Sequence, residues 1–191
     1  QNLLYRVKRS LMYLFGDPNH GKDNNMPFIL SPHFRDLDVD QDYYLHNLYQ
    51  LFKAQLVEAN LIWPSNNKPV VLRRLPEVHN YHRTFWHIIS SGHGKVETRT
   101  INFERCRRLH WIREAYEEFK DHYPNPIEDP IKWWKSSRNG AVRYLLAKSD
   151  LSYVIVYEER TDYTLLITAY SVSQKHTQRK LAREHDNFWE A

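Results

Sequence analysis

A chain of 191 residues with 41% hydrophobic and 26% charged side chains has room for one domain with a real core and an added flank. Its single cysteine, Cys106, excludes an internal disulfide framework and any Cys-x-x-Cys metal or redox site, and its five glycines stand in neither a G-x-x-x-x-G-K nor a G-x-G-x-x-G spacing, which excludes a P-loop and a dinucleotide fingerprint. A formal charge of +4 and a pI near 9.1 accompany 14% aromatic residues, a mixture suited to nucleic acid as well as to a compact core, and no apolar run approaches the ~20 residues of a membrane span; the reading is a cytoplasmic protein.

Residues 1–35 form a flank. Leu4, Val7, Leu11 and Leu14 recur every three to four positions with Arg6, Lys8 and Arg9 elsewhere on the wheel, which predicts an amphipathic basic helix stopped by Gly16, and the Gly-, Asp-, Asn- and Pro-rich run to Pro32 reads as linker. Residues 36–191 then make the main domain. Leu45, Leu48, Phe52 and Leu56 give a second amphipathic helix between Asp40 and Asn60. Lys68 to Leu75 is expected as a strand, Thr84 as the cap of a short helix ending at Gly92, and Val96 to Ile101 as extended chain. Residues 102–122 favour helix, with Arg108 to Ile112 alternating enough to allow a short strand.

The C-terminal third predicts an antiparallel meander. Ile131 to Ser136 and Ala141 to Ala147 flank Asn139-Gly140, a pair that accepts the positive φ of a tight hairpin turn, and Leu151 to Glu158 and Tyr163 to Val172 are apolar on both alternating faces, which places them centrally. A polar tail with Lys175, His176, Arg179, Lys180 and Arg183 follows as a short helix.

Charge is unevenly spread. Residues 95–113 hold six basic side chains against Glu97 and Glu104, a net of +4, whereas 114–130 carry a net of −5, so the basic character is local. Arg99, Arg105, Arg107 and Arg108 in that stretch suit bidentate capture of phosphate, or else pair with the acidic segment behind them. Four histidines (His79, His82, His87, His93) share one short window, but their spacing is not that of His-Glu-x-x-His, so the expectation is no metal site. His87 differs from the others in sitting among Phe85, Trp86, Ile88 and Ile89, as a general base or a buried ring satisfying a carbonyl. Thr168 and Tyr170 stand i, i+2 on the last strand and share one face.

The segments Thr84-Phe85-Trp86-His87-Ile88-Ile89-Ser90, Glu97-Thr98-Arg99-Thr100, Arg105 to Arg113, Tyr153-Val154-Ile155-Val156 and Arg160 to Tyr170, in this order, resemble phage- and mobile-element-borne members of the barnase/EndoU/colicin/RelE (BECR) ribonuclease superfamily. The resemblance spans roughly residues 40 to 185. It implies an α+β domain, N-terminal helices followed by a four-stranded antiparallel sheet, that cuts RNA without metal or other cofactor. Such a protein acts as a toxin or defence effector restrained by a neutralising antitoxin or immunity protein. His87, Arg99 and Thr168, with Tyr170 beside the last, fall where that family places its catalytic groups. On this reading His87 takes the proton of a ribose 2′-hydroxyl, Arg99, helped by Arg160 or Arg108, stabilises the phosphorane, and Thr168 and Tyr170 position the phosphate. Lys95, Arg105, Arg107, Arg108 and Arg138 then hold RNA, and Trp111, Trp133 and Trp134 stack flanking bases. Two other classes remain open: a non-catalytic RNA-binding or partner-binding subunit of the same fold, and a metal-dependent hydrolase using the histidine window.

Overall fold

The computed structural model describes residues 41–190, and the helix and linker expected over 1–35 lie outside the described residues. The fold is α+β. Helix α1 (Gln41–Phe52) runs into one π-helical turn (Lys53–Val57), followed by short strands β1 (Ile62–Trp63) and β2 (Lys68–Val71). Helix α2 (Arg83–Ile89) leads into a two-stranded ribbon of β3 (Ser90–Ser91) and β4 (Thr100–Ile101), with a 3-10 turn at Val96–Thr98 between them. Two further helices, α3 (Phe103–Cys106) and α4 (Trp111–His122), precede the strands β5 (Ile131–Arg138), β6 (Ala141–Lys148), β7 (Tyr153–Glu159) and β8 (Thr164–Ser171), and α5 (Lys175–Trp189) closes the chain.

The meander forms as its sequence predicts. Asn139 and Gly140 take φ values of 51° and 77°, the two positive angles that turn one strand onto the next with the right twist, and β5 to β8 pair antiparallel in succession. The sheet is nevertheless six-stranded and mixed, in the order β1-β2-β8-β7-β6-β5, so the four-stranded antiparallel sheet is corrected. β2 lies parallel to β8 through Val70↔Thr164 and Val71↔Leu165, and β1 pairs antiparallel outside it. Strand β8 would otherwise leave its whole outer edge unpaired, and β2 covers only its beginning. From Leu166 onward β2 has left, and the two strands fork.

Alternation along the strands sorts two cores. Trp133, Tyr144, Leu146, Ile155, Tyr157, Leu166 and Ala169 face α1, α2 and α4, and Trp134, Leu145, Ala147, Val154 and Val156 face α5 through Leu181. The first core is strongly aromatic. Trp63 of β1, fully buried, stands 4.4 Å from Tyr157, 4.9 Å from Phe119 and 5.2 Å from Tyr144, measured between ring centroids. The register shifts between Val156, paired with Thr168, and Tyr157, paired with Leu166, so Ile167 is an extra residue that bulges β8 beside the fork.

Three local expectations are revised. Thr84 is not the cap of α2; its Oγ1 accepts the Arg73 N–H at 2.8 Å while its own N–H donates to the Arg73 carbonyl at 3.0 Å, strapping the loop after β2 onto the helix. Arg108, Leu109 and His110 form the turn between α3 and α4 rather than a strand, and the polar tail is a 15-residue helix because Leu181, His185, Phe188 and Trp189 recur on one stripe and the Trp189 Nε1–H reaches the Trp133 carbonyl at 2.8 Å. Among the described residues no helix is long and apolar enough to cross a membrane.

Candidate functional site

The fork between β2 and β8 holds a cavity of about 210 Å³ lined by Arg73, Arg83, Thr84, His87, Leu166 and Ile167. Each wall has a local cause. The strap through Thr84 delivers Arg73 from the loop to the rim, Arg83 and His87 stand four residues apart on one face of α2, and Leu166 with the bulged Ile167 supplies an apolar floor. Rim charge, apolar floor and one imidazole converge here.

Behind the imidazole lie two more guanidinium groups. Arg99 sends Nη1–H to His87 Nδ1 at 2.7 Å and Nη2–H to the Ser90 carbonyl at 2.7 Å, and Arg105 sends Nη1–H to the same carbonyl at 2.9 Å. A guanidinium has only donors, so Nδ1 accepts and the ring proton of His87 sits on Nε2. The Nε–H of Arg99 is enclosed without an acceptor among the described residues. Burial depresses the His87 pKa most, and Arg99, Arg105, Arg83 and Arg73 add to it, bringing it to about 4. Arg99 itself is pulled below its ordinary value by burial first and by Arg105 second. Among the described residues the carboxylate tied to the rim is Glu97, 3.3 Å from Arg83, in a pair whose acid is exposed and whose base is part-buried, and which is therefore weak.

One consequence for stability follows from linkage. The unfolded chain protonates this histidine at its ordinary 6.5 and the folded protein only at about 4, so the native state binds fewer protons between those values. The stability that neutral His87 contributes is intact above about pH 6.5 and lost as pH falls toward about 4. Denaturant titrations at pH 5.0 and 7.5, run beside His87→Gln, are expected to show a pH-dependent loss in the wild type that is smaller in the variant.

The other expected site residues distribute as follows. Thr168 and Tyr170 pair with Val156 and Val154, so they point to the α5 side of the sheet, away from α2 and His87. The Tyr170 hydroxyl is pushed above its ordinary pKa by burial and then by Glu184 of α5, with Arg138 opposing. Arg138 is exposed at the end of β5 on that same face. Arg160 is ion-paired with Glu158, which is 3% exposed and also held by the Arg143 Nε–H at 2.6 Å, so Arg160 serves a buried carboxylate rather than the cavity.

The basic stretch 95–113 is partly neutralised within itself. Arg107 and Arg108 close on Glu104 at 2.5 and 2.7 Å, Arg113 on Glu117 at 2.5 Å, and of the basic side chains in this stretch only Lys95 is exposed, beside Val96, whose carbonyl takes the Trp86 Nε1–H. Base stacking by the tryptophans is corrected: Trp111 is 6% exposed, Trp133 2% and Trp134 0%, because each fills a core.

The histidine window disperses. His79 packs on Trp86, His82 on Tyr49 and Phe52, and His87 on Arg99. Among the described residues no three His, Cys, Asp or Glu side chains stand together so as to hold a metal ion. The sequence points to His87, Arg99 and Arg105 but not to Arg73 and Arg83. The i, i+4 spacing of Arg83 and His87 on a short helix was the available signal for the second, and none existed for Arg73, which reaches the site by a backbone strap. No protein-family model, curated protein or solved structure matches this chain.

Proposed function

We propose that the protein is an endoribonuclease that works without a metal, with the scissile phosphate seated in the cavity at the β2–β8 fork. The observation that carries this reading is the ring of four guanidinium groups, from Arg73, Arg83, Arg99 and Arg105, around one neutral imidazole. Guanidinium groups stabilise the extra negative charge that a phosphorus gains as a 2′-hydroxyl attacks it, and an imidazole uncharged at neutral pH is available to take the 2′ proton. The 2′ oxygen bonds to phosphorus, the bond to the 5′ oxygen breaks, and that oxygen takes a proton from solvent. The products are a 2′,3′-cyclic phosphate and a 5′-hydroxyl. DNA lacks the nucleophile and binds without being cut.

Thr168 and Tyr170 have no place in this scheme, because they face α5. Thr168→Val and Tyr170→Phe are each expected to retain cleavage within about threefold of wild type. A cell making such an enzyme as a toxin or defence effector needs a restraint, and a neutralising protein that sets carboxylates on Arg73 and Arg83 fits the rim.

A second reading, an RNA-binding domain without chemistry, is favoured by one contact: Arg99 occupies His87 Nδ1, the ring's basic nitrogen, at 2.7 Å. Purified protein incubated with RNA in excess EDTA, followed by mapping of the 3′ ends, separates the two. Cyclic-phosphate ends support the enzyme; intact RNA bound in a salt-sensitive manner supports the binding domain.

A further inference from the structure

We infer that Arg99 is a positioning residue that couples phosphodiester binding to the protonation of His87: in the free protein it holds Nδ1 and fixes the ring proton on Nε2, and an incoming phosphodiester draws its guanidinium away and sets Nδ1 free. This rests on the reading that an RNA phosphate occupies the cavity.

The geometry makes the exchange inexpensive. Arg99 shares the Ser90 carbonyl with Arg105, so that acceptor keeps a donor when Arg99 turns. Its Nε–H already lacks an acceptor where it stands, and an anion offers one. His87 is then left facing Arg73 from the loop, Arg83 from its own helix and Arg105 from α3, with Glu97 reaching only Arg83, while β8 presents the uncharged Leu166 and Ile167. Unneutralised guanidinium groups oppose an imidazolium among them. A phosphodiester compensates them, so that below the raised pKa the freed Nδ1 takes a proton that hydrogen-bonds to a phosphate oxygen, while above it Nδ1 stays unprotonated and free to act as the base. In the free protein burial and these cations hold His87 at about 4, and with the anion seated it returns toward its ordinary 6.5.

The test uses the described protein and a fully 2′-O-methylated single-stranded oligouridine, which cannot be cut and stays ionised throughout. Imidazole nitrogen shifts report the His87 tautomer and pKa, free and bound, and affinity is measured at pH 5 and pH 8. The expected results are a proton on Nε2 in the free protein, a pKa rise of about two units on binding, and affinity about 10-fold tighter at pH 5 than at pH 8, a gain that His87→Gln lacks. Arg99→Met is expected to lose the tautomer preference, raise the free His87 pKa and shrink the pH effect. Binding at the cavity with an unchanged His87 pKa overturns the coupling and leaves the phosphate reading standing. A proton on Nδ1 in the free protein overturns the positioning role. Binding that leaves the His87, Arg73 and Arg83 signals unmoved overturns the phosphate reading, and the coupling with it.

Discussion

Replacing His87 with alanine is expected to slow RNA cleavage by about 10²–10⁴-fold, measured in single turnover with EDTA present at pH 7.5. In the proposed mechanism the size follows from losing the group that takes the 2′ proton. Affinity for RNA should change much less, because Arg73, Arg83, Arg99 and Arg105 all remain and supply the charge that holds phosphate. On the same proposal Arg99→Ala is expected to cost cleavage about 10²–10³-fold, through the loss of one guanidinium from the proposed transition state, and it also frees Nδ1 of His87. Activity in the alanine variant of His87 equal to wild type would remove the imidazole from the chemistry and leave the cavity as a binding site alone. Because His87 lies at the rim of α2 and not in either core, its removal leaves the fold intact, which a thermal melt beside the assay checks.

Trp63→Ala is expected to destabilise the protein by about 3–5 kcal/mol and lower Tm by roughly 6–20 °C. Strand β1 is two residues long, yet this one side chain is fully buried among Tyr116, Phe119, Tyr144 and Tyr157. The Tyr116 hydroxyl adds a 2.6 Å bond to the Ile62 carbonyl, and the Val70 N–H one of 2.8 Å to the Leu61 carbonyl. Removing the indole therefore loosens β1 and β2 together, and with them the loop that carries Arg73. Calorimetry paired with oligouridine binding is expected to show both losses in one variant, whereas Trp63→Phe keeps most of each. A melt within about 2 °C of wild type would mean that the short strands are attached to the core without supporting it.

The parts of the fold legible in the sequence are those that local rules govern. Asn139-Gly140 and the two-sided apolar runs of β7 and β8 specify a meander because turn chemistry and burial are written in adjacent residues. The placement of β2 is not, since a parallel pair joining Val70 to Thr164 spans about half of the chain and rests on two register positions. His87 stood out because an imidazole among apolar neighbours is an anomaly at the level of sequence. Counting charge over 95–113 misplaced the basic face, because Glu104 and Glu117 fold back on Arg107, Arg108 and Arg113, and Arg73 and Arg83 arrive from elsewhere. Period-2 alternation likewise showed that Thr168 and Tyr170 share a side, but which side depends on the helices packed there.

The divergence of β2 from β8 after Val71 and Leu165 has a consequence for how this cavity can change. Its opening is governed by where a strand stops rather than by the bulk of any lining group, so adding one more rung to the ladder would draw the 72–74 segment across the gap and shut it. Lengthening the exposed run 73–77 would instead widen the mouth without touching the sheet. The aperture thus answers to the reach of the exposed 73–77 run, while Leu72, Val78 and Tyr81 on either side anchor the connection to the aromatic core.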